Sequence, residues 1–162
     1  DWKMTGNETA TRVILAQTGI LEKHQKLLFL SLNYGWLSEM LVATEKWQLA
    51  RKYAARALVR ARHHDRLGEA MAYRALSMIS ECNSPDSNQK YLDRARTSAS
   101  ERHARHETAK NNLFLASMFY RTKRYQSAHD HLDLALQDFK AMNMSWYEQQ
   151  ALNLLQINAA SA

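Results

Sequence analysis

Seven histidines and a single cysteine are the side chains of this sequence best suited to metal binding or nucleophilic chemistry. His103 and His106 stand three apart, His129 and His131 two apart, and His63 adjoins His64 near a turn. A zinc site needs three or four convergent ligands. On a helix, two residues turn through about 200°, so His129 and His131 point to different sides. No carboxylate or cysteine spacing completes a set, and the expectation is solvated or packed histidines with no metal. Cys82 sits beside a loop, but a catalytic thiol needs a neighbouring base. None can be placed, so Cys82 reads as a structural or incidental thiol. Glu39, Glu69 and Glu148 fall on separate stretches with no partner for acid–base work. Gly6, Gly19, Gly35 and Gly68 are scattered and cannot build a phosphate-cradling loop. The sequence therefore points to no catalytic residue and no cofactor, and to a function exercised through contact.

Composition bounds the elements that position these residues. Over 162 residues, 46% apolar and 23% charged, the chain can build a core and is neither disordered nor fibrous. Four glycines and one proline are too few for the turns of a sheet protein. Ala, Leu, Gln, Glu, Arg and Lys favour helices joined by tight turns. The net charge of +6 is uneven. Basic residues gather between Arg51 and Arg74, and the segment from Tyr125 onward is acidic, with Asp130, Asp133, Asp138 and Glu148. The basic stretch reads as a solvated helix face; the competing reading is a surface for nucleic acid or an acidic partner. A lone cysteine allows no intrachain disulfide and fits a reducing cytoplasm. No apolar run approaches the roughly 20 residues of a membrane span, and no signal peptide is visible. The chain begins at Asp1 rather than Met, which reads as an excerpt or a processed product.

An internal repeat organises the helices. Trp47 to Leu58 (WQLARKYAARAL) matches Tyr125 to Leu136 (YQSAHDHLDLAL), with Ala50 on Ala128, Ala54 on Leu132, Ala57 on Ala135 and Leu58 on Leu136. Offsets of three and four put these positions on one helical stripe. Before the first copy, Leu30, Tyr34, Leu37 and Leu41 form an apolar stripe; before the second stand Leu113, Leu115, Ala116, Phe119 and Tyr120. Short breaks at Thr44–Lys46 and Thr122–Arg124 imply antiparallel helix pairs. Between the copies lies a degenerate pair. Its first helix is expected over about 66–81, with Met71, Ala72, Ala75, Leu76 and Ile79 inward. Its second is expected over about 87–103, capped by Ser87 or Asp86, with Tyr91, Leu92, Ala95 and Ala99 inward. The copies are 78 residues apart, against about 68 for two repeats of about 34; longer connections in the middle pair take up the excess. Trp36, Trp47, Tyr53, Phe119, Tyr120, Tyr125 and Trp146 read as filling helix-pair interfaces.

A lone helix over 7–17 is expected to close at Thr18-Gly19, with Gly19 as a left-handed cap. Ser145 and Glu148 form a capping box for a last helix over about 145–158. The predicted organisation is one all-α domain over 1–162, of about eight helices. Residues 1–19 would end a preceding repeat, 20–62, 65–103 and 106–140 would be helix pairs, and 145–158 a capping helix.

Aromatic-x-x-Ala followed by an Ala-Leu stripe resembles the second helix of the tetratricopeptide repeat. The segment Ala135 to Leu155 (ALQDFKAMNMSWYEQQALNLL) is similar to the closing segment of repeat arrays at the C-terminus of large bacterial signalling ATPases and class III adenylate or guanylate cyclases. Met144, Trp146, Tyr147, Gln150 and Ala151 match that segment, and Asn143 stands where glycine is common. The resemblance spans roughly 20–155; Ser38 replaces a usual small Gly/Ala, and the middle pair lacks the aromatic that opens the second helix. It implies a right-handed α-solenoid acting as a cytoplasmic protein-interaction or regulatory module, with any cyclase or ATPase catalytic residues outside this chain. First helices of such arrays line a concave groove. By that analogy the exposed contact positions are Glu39 and Val42; Arg66, Glu69 and Tyr73; and Lys110, Leu113, Ser117, Tyr120 and Arg121. The implied partner is a protein or peptide segment, another domain of the same parent chain included, with a homodimer as a further arrangement. Against nucleic acid stand the acidic tail and the lack of a reading motif; no membrane contact is implied.

Overall fold

The computed structural model describes residues 8–25, 29–63, 65–81 and 85–159. Among them the chain forms eight α-helices and no strand. They are α1 (Glu8–Lys23), α2 (Leu30–Ala43), α3 (Trp47–His63), α4 (Glu69–Glu81), α5 (Pro85–Glu101), α6 (Arg105–Arg121), α7 (Tyr125–Ala141) and α8 (Ser145–Ala159). No helix among the described residues is long and apolar enough to cross a membrane.

Four connections share one design: Thr44–Lys46, Arg102–Ala104, Thr122–Arg124 and Met142–Met144. In each the middle residue is left-handed: Glu45 at φ 58°, His103 at 50°, Lys123 at 58° and Asn143 at 53°. The third residue's N–H then reaches back across the turn. Lys46 donates to the Leu41 carbonyl at 2.8 Å; Ala104 to Ala99, Arg124 to Phe119 and Met144 to Phe139 each donate at 2.9 Å. This is the Schellman closure, which satisfies carbonyls left over at a helix end. The same third residue accepts the first bond of the next helix, as when Ala50 N–H donates to Lys46 O at 2.9 Å. Each turn thus ends one helix and starts another without glycine.

The helices pack into two compact units, residues 1–98 and 99–162. In the first, α2 lies against α1, α3 and α4. Leu30, Tyr34, Leu37 and Leu41 of α2 meet Ala50, Ala54 and Ala57 of α3 and Ala72, Leu76 and Ile79 of α4. In the second, α6, α7 and α8 pack on one another. Ala116 and Tyr120 meet Ala128, Leu132, Ala135 and Phe139 of α7 and Ala151 of α8. Both alanine stripes read from the repeat are therefore buried seams. Removing apolar surface from water drives this packing, and the missing side-chain bulk lets the partner helix approach closely.

Five expectations need correction. Helix α1 runs through Gly19 to Lys23. A Cβ at Gly19 would meet nothing within 4 Å, and the buried Thr18 hydroxyl donates to the Ile14 carbonyl at 2.7 Å inside the same helix. Helix α4 begins at Glu69 rather than near 66, because the preceding loop is pulled onto α2. There Ser31 N–H and its hydroxyl donate to the Asp65 carboxylate, and Gly68 N–H donates to Ser31 Oγ at 3.1 Å. Helix α5 opens at Pro85, ahead of the expected caps Asp86 and Ser87, whose side chains lie outside the described residues. Proline suits a first helical position, where its missing N–H has no partner to lose. Ser145 is the first helical residue of α8, and Glu148 N–H bonds the Met144 carbonyl at 3.0 Å, so the capping position falls on Met144. Finally, Trp36, Trp47 and Tyr125 fill their interfaces only in part: they are 38%, 43% and 43% exposed, although the Tyr125 ring lies 6.4 Å from that of buried Tyr120 on α6. Trp47 and Tyr125 are the first residues of their helices, at the end of the seam, where fewer neighbours cover a side chain.

Candidate binding cleft

Among the described residues, an open cleft of about 530 Å³ lies where α1, α2 and α3 meet. Helix α3 supplies Lys52, Ala55, Arg56, Val59 and Arg60. These positions recur at three and four, so the helix turns one face toward the cleft. Helix α2 supplies Leu30 and Tyr34, and the last turn of α1 supplies Glu22. The floor is apolar and the rim cationic.

A small network fixes the rim. The Tyr34 hydroxyl donates to Glu22 Oε1 at 2.7 Å, and Arg56 Nη1 donates to the same oxygen at 2.8 Å. The Arg56 guanidinium lies 5.5 Å from the Tyr34 ring centroid and 5.7 Å from that of Tyr53, within reach of a cation–π contact. The two rings are 5.9 Å apart. Farther along α3, Arg60 Nε sits 3.5 Å from Asp65 Oδ2. Burial, and then the bond to Glu22, push the Tyr34 phenol well above its ordinary range. Burial also raises Tyr53. Phenols held this firmly protonated are donors and packing surfaces rather than bases. The cleft thus offers positive charge beside an apolar floor, which suits an anionic group attached to an apolar body.

The helix-A positions named from the sequence fall in different environments. Glu39 is buried and takes a hydrogen bond from Arg74 Nε at 2.7 Å, in an ion pair that is buried on both sides. Lys110 is buried beside Glu107 at 2.9 Å, and its ammonium lies 6.0 Å from the Tyr147 ring. Tyr120 is buried as well, its hydroxyl 3.4 Å from His129 Nδ1. These three were expected to be exposed; each instead faces its own unit's interior, because a helix packed on two sides turns nearly its whole circumference inward. Val42 and Leu113 are half-buried against the two cores, Ser117 is half-buried and Arg121 exposed.

Of Arg66, Glu69 and Tyr73, the first two come together, and Tyr73 packs on partners from α5. Arg66 Nε donates to Glu69 Oε2 at 2.7 Å, and the Ser98 hydroxyl donates to the same oxygen at 2.7 Å. Tyr73 stacks on Tyr91 at 6.4 Å, with the Arg94 guanidinium 5.7 Å from its ring.

Among the described residues no three His, Cys, Asp or Glu side chains converge as metal ligands. His131 stacks on Phe119 at 5.4 Å and His106 Nε2 lies 3.4 Å from Glu107 Oε1. Cys82 and His64 lie outside the described residues. The sequence reading placed partner contacts on the first helices of the pairs and took the basic stretch from Arg51 to Arg74, which includes α3, as a solvated face, with nucleic acid or an acidic partner as the competing reading. The available signal was that α3 carries Arg51, Lys52, Arg56, Arg60 and Arg62 with no acidic residue, with three of these recurring every fourth position. No family model, curated protein or solved structure matches the chain.

Proposed function

We propose that this chain is a non-catalytic interaction module. Its helix pairs would continue as a right-handed, tetratricopeptide-like solenoid that holds a segment of another protein or of another domain of its parent. The observation that carries the reading is the recurrence of one hairpin: the Schellman turns at Glu45 and Lys123 join first helices to second helices that bury the same alanine stripe. A unit that cannot bury its apolar face alone does so by stacking on its neighbour, which is how repeat arrays are stabilised. The resemblance of Ala135 to Leu155 to the closing segment of signalling ATPase and cyclase arrays suggests such a parent, working in the cytoplasm.

Two measurements test this. Small-angle scattering should give a radius of gyration clearly above the roughly 15 Å of a compact domain of 162 residues; a value at that figure contradicts the solenoid. Arg66→Ala with Tyr73→Ala should reduce capture of a partner from native lysate while leaving the helical circular dichroism intact, and undiminished capture counts against that surface. The alternative is nucleic-acid binding through Arg51 to Arg74. It predicts a salt-sensitive gel shift with random DNA or RNA, which the interaction reading does not.

A further inference from the structure

We infer that the cleft between α1, α2 and α3 is a docking groove for an acidic peptide segment bearing a bulky apolar side chain. This deepens the interaction reading and rests on it. The cleft is on the α1 and α3 side of α2, away from Glu39, which faces α4. It is therefore separate from the first-helix positions that the repeat resemblance nominates.

Charge complementarity identifies the occupant. Glu22 and Asp65 offset Arg56 and Arg60, while Lys52 stays exposed at the rim on a helix that holds no acidic residue. Glu22 is committed to Tyr34 and Arg56, so its charge is already compensated when a partner arrives. A carboxylate approaching the rim meets Lys52 and the outer edge of Arg56, whose side chain is 41% exposed. Charged rims of this kind set encounter rate and orientation. Below the rim, Leu30 and Tyr34 form an apolar floor, and Val59 is exposed at its edge. Leu30 and Tyr34 expose only 2% and 6%, so the apolar surface that an aliphatic or aromatic side chain would cover is chiefly that of Val59, 58% exposed. The volume is of the order that holds one drug-sized body or a few peptide side chains.

The test is fluorescence anisotropy on the intact chain with a short labelled peptide rich in glutamate and carrying two leucines. Counterparts have lysine for glutamate, or serine for leucine. Binding is expected for the first peptide only, weakening as salt is raised. Lys52→Glu and Val59→Asp should each weaken it by roughly tenfold, with circular dichroism confirming that both variants fold. Arg62→Glu, on α3 but outside the cleft, should change it by less than about twofold. No binding at low salt overturns the inference. So does an equal effect of Arg62→Glu, which would mean diffuse attraction, and so does displacement of the peptide by random-sequence RNA at lower concentration. If these fail while partner capture persists, the cleft is wrong and the interaction reading stands; if capture fails as well, both fall.

Discussion

Glu45, His103 and Lys123 hold a left-handed backbone that costs a side-chain-bearing residue about 1 kcal/mol relative to glycine. Replacing any one by glycine should therefore raise the unfolding free energy in urea by about 0.5–1 kcal/mol. A fall would mean that the side chain does something the turn geometry does not reveal. The glycines test the opposite case. Gly68 lies so close to α2 that a Cβ there would come within 1.8 Å of the Ser31 carbonyl oxygen. Gly68→Ala should force the α4 start away from α2 and cost several kcal/mol, whereas Gly19→Ala, with open space around it, should stabilise α1 by about 0.5–1 kcal/mol. The raised Tyr34 and Tyr53 phenols carry a pH consequence. Their stabilising contribution is fully present below the ordinary phenol value near 10. It is lost as pH climbs beyond that, when the unfolded chain sheds protons that the folded one keeps. Thermal melts should show stability falling above about pH 10, and Tyr34→Phe should flatten the fall.

At the scale of elements, the helix pairs were legible because periodicity carries them. The three-and-four spacing of Leu30, Tyr34, Leu37 and Leu41, and of the alanine stripes, placed α2, α3 and α7 correctly. The breaks at Thr44–Lys46 and Thr122–Arg124 fell where the turns are. Where local rules compete with tertiary contacts the sequence misleads. Gly19 looks like a cap only if the chain must stop there, and the start of α4 is set by Ser31, a residue 37 positions before Gly68 in the chain. The cleft was hidden for the same reason: α3 shows a basic face, but which of its cations border a cavity depends on α1 and α2. Glu39 was misplaced to the surface because a charged residue in an apolar stripe reads as exposed until its partner is known. That partner, Arg74, comes from α4. Replacing one member of this buried pair, as in Arg74→Met, should cost about 3–5 kcal/mol by stranding the other charge, while Glu39→Leu with Arg74→Met should recover most of it. Urea unfolding of the two variants checks the difference.

At the scale of the molecule, charge and core are distributed differently. Each unit has its own apolar cluster built around an alanine-lined second helix, yet α3 is wholly basic among its charged residues while α7 bears Asp130, Asp133 and Asp138. Two helices with matching seams and opposite outer faces fit the proposed interaction module, in which the seam maintains the fold and the outer face is free to vary toward a partner. If the proposed docking on helix surfaces holds, it leaves a footprint. The most direct measurement is hydrogen exchange on the intact chain with and without the glutamate-leucine peptide. Slowed exchange is predicted in the last turn of α1, the start of α2 and along α3, with α6 to α8 unchanged. No slowing in α1 to α3, or slowing confined to residues 99–162, would contradict it.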